Sequence, residues 1–196
     1  MDDRKEKKDE FNLNGLWSLS NKDNICNLSL SVYNATPQLV MWDKSSAERK
    51  PVFKMRLVPG LFYMMRDQLP GLLKSAPGDT AAKRTYINME FNADLRRNEK
   101  GSSITFYKNA SGLYCIDVIP RPGVQATTFT MMSHKGFSTG DGELTDTLRS
   151  ELGFRTFLDV LSRSHDISYS VGRWNYEPPK PQSSNSSSNT DSTMFG

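Results

Sequence analysis

The stretch Leu28-Ser29-Leu30-Ser31-Val32-Tyr33-Asn34-Ala35-Thr36-Pro37-Gln38-Leu39-Val40-Met41-Trp42 decides the fold class. Leu28, Leu30 and Val32 alternate with Ser29, Ser31 and Tyr33, which is the two-residue period of a strand with one apolar face. Asn34-Ala35-Thr36-Pro37 interrupts the pattern and Leu39-Val40-Met41-Trp42 resumes it, so the segment reads as a β-hairpin. Strands joined in this way pair antiparallel.

Working outward, Phe53, Met55 and Leu57 are expected to face a core while Lys54 and Arg56 face solvent. That strand runs into Val58-Pro59, where a helix is predicted with Pro59 in its first turn and Phe62, Met65, Leu69, Leu72 and Leu73 at helical spacing. Pro70 should end or kink it. Tyr86 to Phe91 reads as a strand with Ile87, Met89 and Phe91 on one side. Ile104 to Lys108 and Leu113 to Ile119 flank Asn109-Ala110-Ser111-Gly112, a hairpin turn. Val124 to Met132 is a Thr-rich strand. Leu144, Leu148, Leu152, Phe157, Leu158 and Leu161 form the apolar stripe of a terminal helix, with Asp141 as its N-cap. The predicted class is α+β, mainly β: a curved antiparallel sheet or open barrel of about six to eight strands, covered by one short helix and one longer terminal helix. No repeat is discernible at the spacing of solenoids or propellers.

A chain of 196 residues has room for one domain with tails. Residues 1–11 alternate acid and base and are expected to be disordered. Residues 12–174 are expected to fold, and the Pro/Ser/Asn-rich tail over 175–196 cannot bury enough apolar area to offset its ordering entropy. No apolar run approaches the roughly eighteen residues that cross a bilayer, and the charged N-terminus has no apolar signal core. A soluble protein of the cytoplasm is expected, the host cytoplasm if the source is viral, with no membrane partner. Cys26 and Cys115 are far apart in strand-like contexts and are expected to be buried thiols in a reducing compartment. The Asn-x-Ser/Thr matches at Asn27, Asn34, Asn109 and Asn185 read as chance in an Asn/Ser-rich chain.

Nothing in the spacing points to catalysis. Cys26, Cys115, His134 and His165 lack the paired spacing of metal ligands, and no Gly-x-Ser-x-Gly elbow occurs. The one Gly-rich loop, Gly136 to Gly142, precedes a helix but carries Asp141, with Glu143 next to it, and no Walker lysine; it reads as a capping turn. The expectation is a non-enzyme without cofactor or metal.

Charge is where the sequence becomes informative. Lys44 to Lys135 holds fifteen Lys or Arg against seven Asp or Glu, a local net of +8 in a chain whose total is +3. Single-stranded nucleic acid is held by cations that track phosphates and by rings on which bases stack, and this segment supplies both. The candidate nucleic-acid-binding residues are Trp42 beside Lys44, Lys54 with Arg56, Lys83 and Arg84 before Tyr86, the polar loop of Arg96, Arg97 and Lys100, and Tyr107 beside Lys108. The rival reading is a sheet whose cations only solubilise it and discourage edge pairing, with Trp42, Tyr107 and Tyr114 as core or rim residues. From Gly136 to Tyr176 the balance reverses, with four basic and six acidic residues. That polarity suits a protein that coats a strand with one face and docks something else, such as a neighbouring copy, with another.

The run Leu28 to Trp42, followed by the Lys50-Pro51-Val52-Phe53-Lys54-Met55-Arg56-Leu57 strand and a helix, resembles small single-stranded-DNA-binding proteins of lytic tailed phages, of the Drc type that serves as an RNA-polymerase cofactor. The resemblance spans residues 27–165 in order of elements. It implies a β-rich DNA-coating protein of little sequence specificity, acting in phage DNA replication or as a transcription cofactor, with self-association and with RNA polymerase or replication proteins as partners. A flexible arm with an apolar tip, here Met194-Phe195-Gly196, is also the layout of such proteins, although the acidic character usual for their tails is missing. The alternative is a protein-interaction or structural viral module that binds no nucleic acid; RNA binding is a third reading.

Overall fold

The computed structural model describes residues 17–33, 36–45, 51–133 and 142–174, with the backbone alone for residues 91, 92 and 171–174. The two expected tails, His134, the Asp141 cap and all of the Gly136–Gly142 loop except Gly142 lie outside the described residues.

The fold is α+β and mainly β. Among the described residues eight strands form two four-stranded antiparallel sheets, each in sequence order. The first sheet holds β1 (Ser18–Ser20), β2 (Cys26–Tyr33), β3 (Thr36–Asp43) and β4 (Pro51–Arg56); the second holds β5 (Arg84–Asn92), β6 (Arg97–Lys108), β7 (Tyr114–Ile119) and β8 (Thr127–Thr130). Between them lies α1 (Pro59–Gln68), which continues as a 3₁₀ segment over Leu69–Lys74, and the last described element is α2 (Asp146–Trp174). Pro59 sits in the first turn of α1, where its missing N–H costs nothing, and Pro70 occupies the start of the 3₁₀ segment. The helix therefore changes type where the sequence predicts a kink.

The founding hairpin forms with Leu28 opposite Met41 and Leu30 opposite Leu39, all on one face. β4 joins with Met41 opposite Phe53 and Leu39 opposite Met55, so the inward set is Leu28, Leu30, Val32, Leu39, Met41, Phe53, Met55 and Leu57. In the second sheet Tyr86, Ile104 and Val118 align across three strands, as do Phe106, Ile116 and Phe129. Both apolar faces bury into one core with α1 and α2. At the β7 hairpin, Asn109 N–H donates to Leu113 O at 2.8 Å, and Gly112 takes the left-handed conformation (φ 79°) that its place in the turn requires. The sheets are separate ladders, yet their edges approach. Asn88, at a β-bulge between Ile87 and Met89, donates from Nδ2 to the Lys54 carbonyl at 3.0 Å and to Ser102 Oγ at 2.8 Å, linking β5 to β4. β1 lies next to β8.

Three elements differ from the sequence reading. In β5 it is Tyr86 that faces the core, while Ile87 and Met89 are 40% and 57% exposed, because pairing of Tyr86 with Ile104 sets the parity and both parities of this strand carry apolar residues. β6 extends back to Arg97 through a polar stretch that has no strand signal of its own; its pairing with β5 supplies the order. In α2 the buried stripe is Ser150, Gly153, Phe154, Phe157, Val160, Leu161, Ser164 and Ser168, whereas Leu148 is exposed.

Small residues in that stripe let α2 lie close to the sheets. Ser150 Oγ accepts the Tyr114 N–H at 2.8 Å, and Arg149 O accepts the Ser133 N–H at 2.9 Å. Phe157 packs on Trp17 and Phe106 with centroids 4.8 and 5.4 Å away, and Phe154 stacks on Tyr114 at 4.6 Å. A Cβ at Gly153 would stand 2.9 Å from the Met132 carbonyl carbon and 3.0 Å from its nitrogen, which is backbone and cannot swing away. Gly→Ala in an open helix gains about 0.5–1 kcal/mol; here the sign should reverse. Gly153→Ala is expected to destabilise by about 1–3 kcal/mol, read as a lower denaturant midpoint at unchanged slope.

Candidate nucleic-acid interface

The residues singled out for nucleic-acid binding fall into separate groups. On β4, alternation sends Lys54 and Arg56 to the outer face of the first sheet, opposite Val40 and Gln38 of β3. Trp42, two residues beyond Val40, stands half-buried on the same face, opposite Asn27. The same parity brings Tyr33 of β2 to this face. Lys54 Nζ lies 5.1 Å from the Tyr33 ring centroid, and the Arg56 guanidinium carbon lies 5.8 Å from it. Among the described residues neither cation has a carboxylate partner. Two cations and two rings thus share one sheet face, and each exposed cation–π contact is worth only about 0.5–1 kcal/mol. Tyr33 was not among the residues the sequence singled out, although its alternation with Ser29 and Ser31 already placed it on the polar side.

Lys83 and Tyr107 form a second pair, with Lys83 Nζ 5.0 Å from the Tyr107 centroid. Tyr107 points to the outer face of the second sheet, where its hydroxyl donates to Asp117 Oδ1 at 3.1 Å; Thr128 donates to the same oxygen at 2.7 Å. Both outer faces turn away from the shared core, so this pair does not join the first cluster. A carboxylate in its midst also makes it a poorer phosphate site.

The remaining cations are structural ties or are exposed at the β5–β6 turn. Lys44 bonds Ser20 Oγ and Asn24 Oδ1, pinning the β1–β2 turn. Arg84 donates to the Ala81 and Lys83 carbonyls at 3.0 and 2.9 Å. Lys108 turns to the inner side of its strand, against the buried Tyr114 ring at 5.0 Å and toward the Ser75 carbonyl at 3.5 Å. At the β5–β6 turn Arg97 pairs with Glu99 at 3.0 Å, while Arg96 and Lys100 are exposed.

Burial decides the titration of the sheet tyrosines. It raises the Tyr86 phenol to about 12, and burial together with the negative Asp117 raises Tyr107 further. Burial also raises the thiols of Cys26 and Cys115, which are free; Cys26 is half-buried rather than buried. A raised thiol is a poor nucleophile at neutral pH. Among the described residues no three His, Cys, Asp or Glu side chains converge as a metal site, and no helix is long and apolar enough to cross a membrane.

No protein-family model, no curated protein and no solved structure matches this chain. The functional reading rests on the side chains themselves.

The raised phenols set an alkaline limit. An unfolded tyrosine ionises near pH 10, so the folded state holds protons that the unfolded state has lost, and stability present below about pH 10 falls as pH rises toward 12 and beyond. Phenolate absorbance should show two late-ionising tyrosines, one of which disappears in Tyr107→Phe.

Proposed function

We propose that this protein binds single-stranded DNA with little sequence specificity, through the outer face of its first sheet. The observation that carries the reading is the cluster of Lys54, Arg56, Tyr33 and Trp42 on that face, with both cations unpaired by acid among the described residues. Phosphates would draw Lys54 and Arg56 off the Tyr33 ring, and bases would stack on the ring thus freed and on Trp42, each stacked base contributing about 1–3 kcal/mol. The two sheets, whose edges approach at β4–β5 and β1–β8, are read together as one open barrel with this face on its outside. In the cell such a protein would act in phage DNA replication or as a transcription cofactor, with replication proteins or RNA polymerase as partners.

One observation favours the protein-interaction reading. Tyr63 and Met64 of α1 and Tyr169 of α2 are 42%, 48% and 64% exposed, large apolar side chains that the core does not use. The two readings separate in a pull-down combined with oligonucleotide titration: a stable protein complex without any shift of a labelled strand at low salt selects the second.

The size of the site sets a quantitative expectation. With two phosphate-contacting cations the log–log dependence of affinity on salt should have a slope of about −1.4 on single strands, from roughly −0.7 per contact. Charge reversal of both, Lys54→Glu with Arg56→Glu, should weaken binding at least about tenfold, while Lys83→Glu on the other sheet should leave it within about twofold. Titration of matched DNA, RNA and duplex oligonucleotides at two salt concentrations measures all three. Unchanged affinity of the Lys54/Arg56 variant with an intact fold rules out this face.

A further inference from the structure

The sheet face that carries the two cations has a polar, buried and incompletely bonded floor. Gln38 is 0% exposed and Ser29 is 1% exposed, and both stand on the outer face of the first sheet rather than in the apolar core. They are diagonal neighbours, since Ser29 pairs with Val40 and Ser31 with Gln38. Gln38 Nε2 donates to Ser31 Oγ at 3.1 Å. Among the described residues Gln38 Oε1 and Ser29 Oγ have no hydrogen-bond partner. Buried polar atoms are rarely left in this state, and such a pair marks a place where a partner is supplied from elsewhere. Lys54 and Arg56 stand opposite Val40 and Gln38 of β3, and to reach the Tyr33 ring on β2 their side chains cross β3 on this face.

We propose that Gln38 and Ser29 read the edge of a base that enters when Lys54 and Arg56 swing onto phosphates, which biases the bound strand toward cytosine and adenine over thymine. This rests on the single-strand-binding reading above. Gln38 Oε1 accepts from an exocyclic amine, and the Ser29 hydroxyl donates to the ring nitrogen beside it. Cytosine and adenine each present that donor and acceptor side by side. Thymine presents a carbonyl and an N–H in the reverse order, so its carbonyl meets Gln38 Oε1, whose amide orientation is fixed by the Nε2 bond to Ser31 Oγ.

The test is a titration of equal-length dC and dT homopolymers against the full chain and Gln38→Met, which keeps the length of the side chain and removes the amide. The full chain should bind dC about twofold to tenfold tighter than dT, the range expected for one or two hydrogen bonds. Gln38→Met should abolish the preference, lowering dC affinity by removing the acceptor for its amine while relieving the carbonyl clash with dT. Ser29→Ala, a smaller change, should reduce the preference and serves as the second variant if Gln38→Met does not fold. Equal binding of dC and dT by the full chain, or a preference that survives in the variants, overturns the inference while leaving strand binding intact. Failure of either homopolymer to bind at low salt overturns the strand-binding reading itself, and this inference with it.

Discussion

One helix has to serve two sheets. The β1–β4 and β5–β8 ladders share no ladder hydrogen bonds, and each has a full apolar face to hide. α2 hides both. Its Ser150 and Gly153 allow backbone-close approach near β7 and the end of β8, and Phe154 and Phe157 then reach Tyr114, Phe106 and Trp17. Burying one such ring is worth about 1.5–3 kcal/mol, a large share of the margin by which a domain of this size is stable. Asn88 adds a directional tie at the β4–β5 seam, but the shared core is what makes the eight strands one body.

Because the inner faces are spent on that core, any binding surface on the sheets must lie outside, and the two outer faces differ in chemistry. The first sheet carries two cations over the Tyr33 ring, without a carboxylate partner among the described residues, and a buried polar floor. The second carries Thr85, Thr105 and Thr128 around Asp117, with hydroxyl-to-hydroxyl and hydroxyl-to-carboxylate bonds that leave the surface satisfied. The local excess of positive charge is therefore not one patch. Lys44, Arg84 and Lys108 spend their donors on turns and loop carbonyls, and Arg97 spends its charge on Glu99. Counting charges along the chain overstates the interface because a cation that bonds a carbonyl and a cation that waits for a phosphate look alike in sequence.

The outward direction of Lys54 and Arg56 was legible because β4 has a clean two-residue period set by Phe53 and Met55, whereas Trp42 lies in an apolar run at an irregularity of the β3–β4 ladder and takes its face from pairing with Asn27. Tyr33 follows from the same rule once the hairpin pairing is known. Lys108 defeats the reading because parity at the end of β6 is set by Phe106, which makes Lys108 an inner neighbour of Tyr114. Ile87 and Met89 defeat it because β5 is apolar on both sides and contains a bulge.

By itself the sequence determined the strands with strict alternation, the hairpins with turn chemistry, the helix break at Pro70 and the outward direction of Lys54 and Arg56, because each depends on neighbours only a few residues away. Only the tertiary structure decided that the strands divide into two sheets, which side of β5 is inside, that α2 packs through Ser150 and Gly153 rather than through Leu148, and which cations share a face with Tyr33. Those choices depend on pairings between residues distant in the chain, where shape and burial, not local propensity, set the free energy.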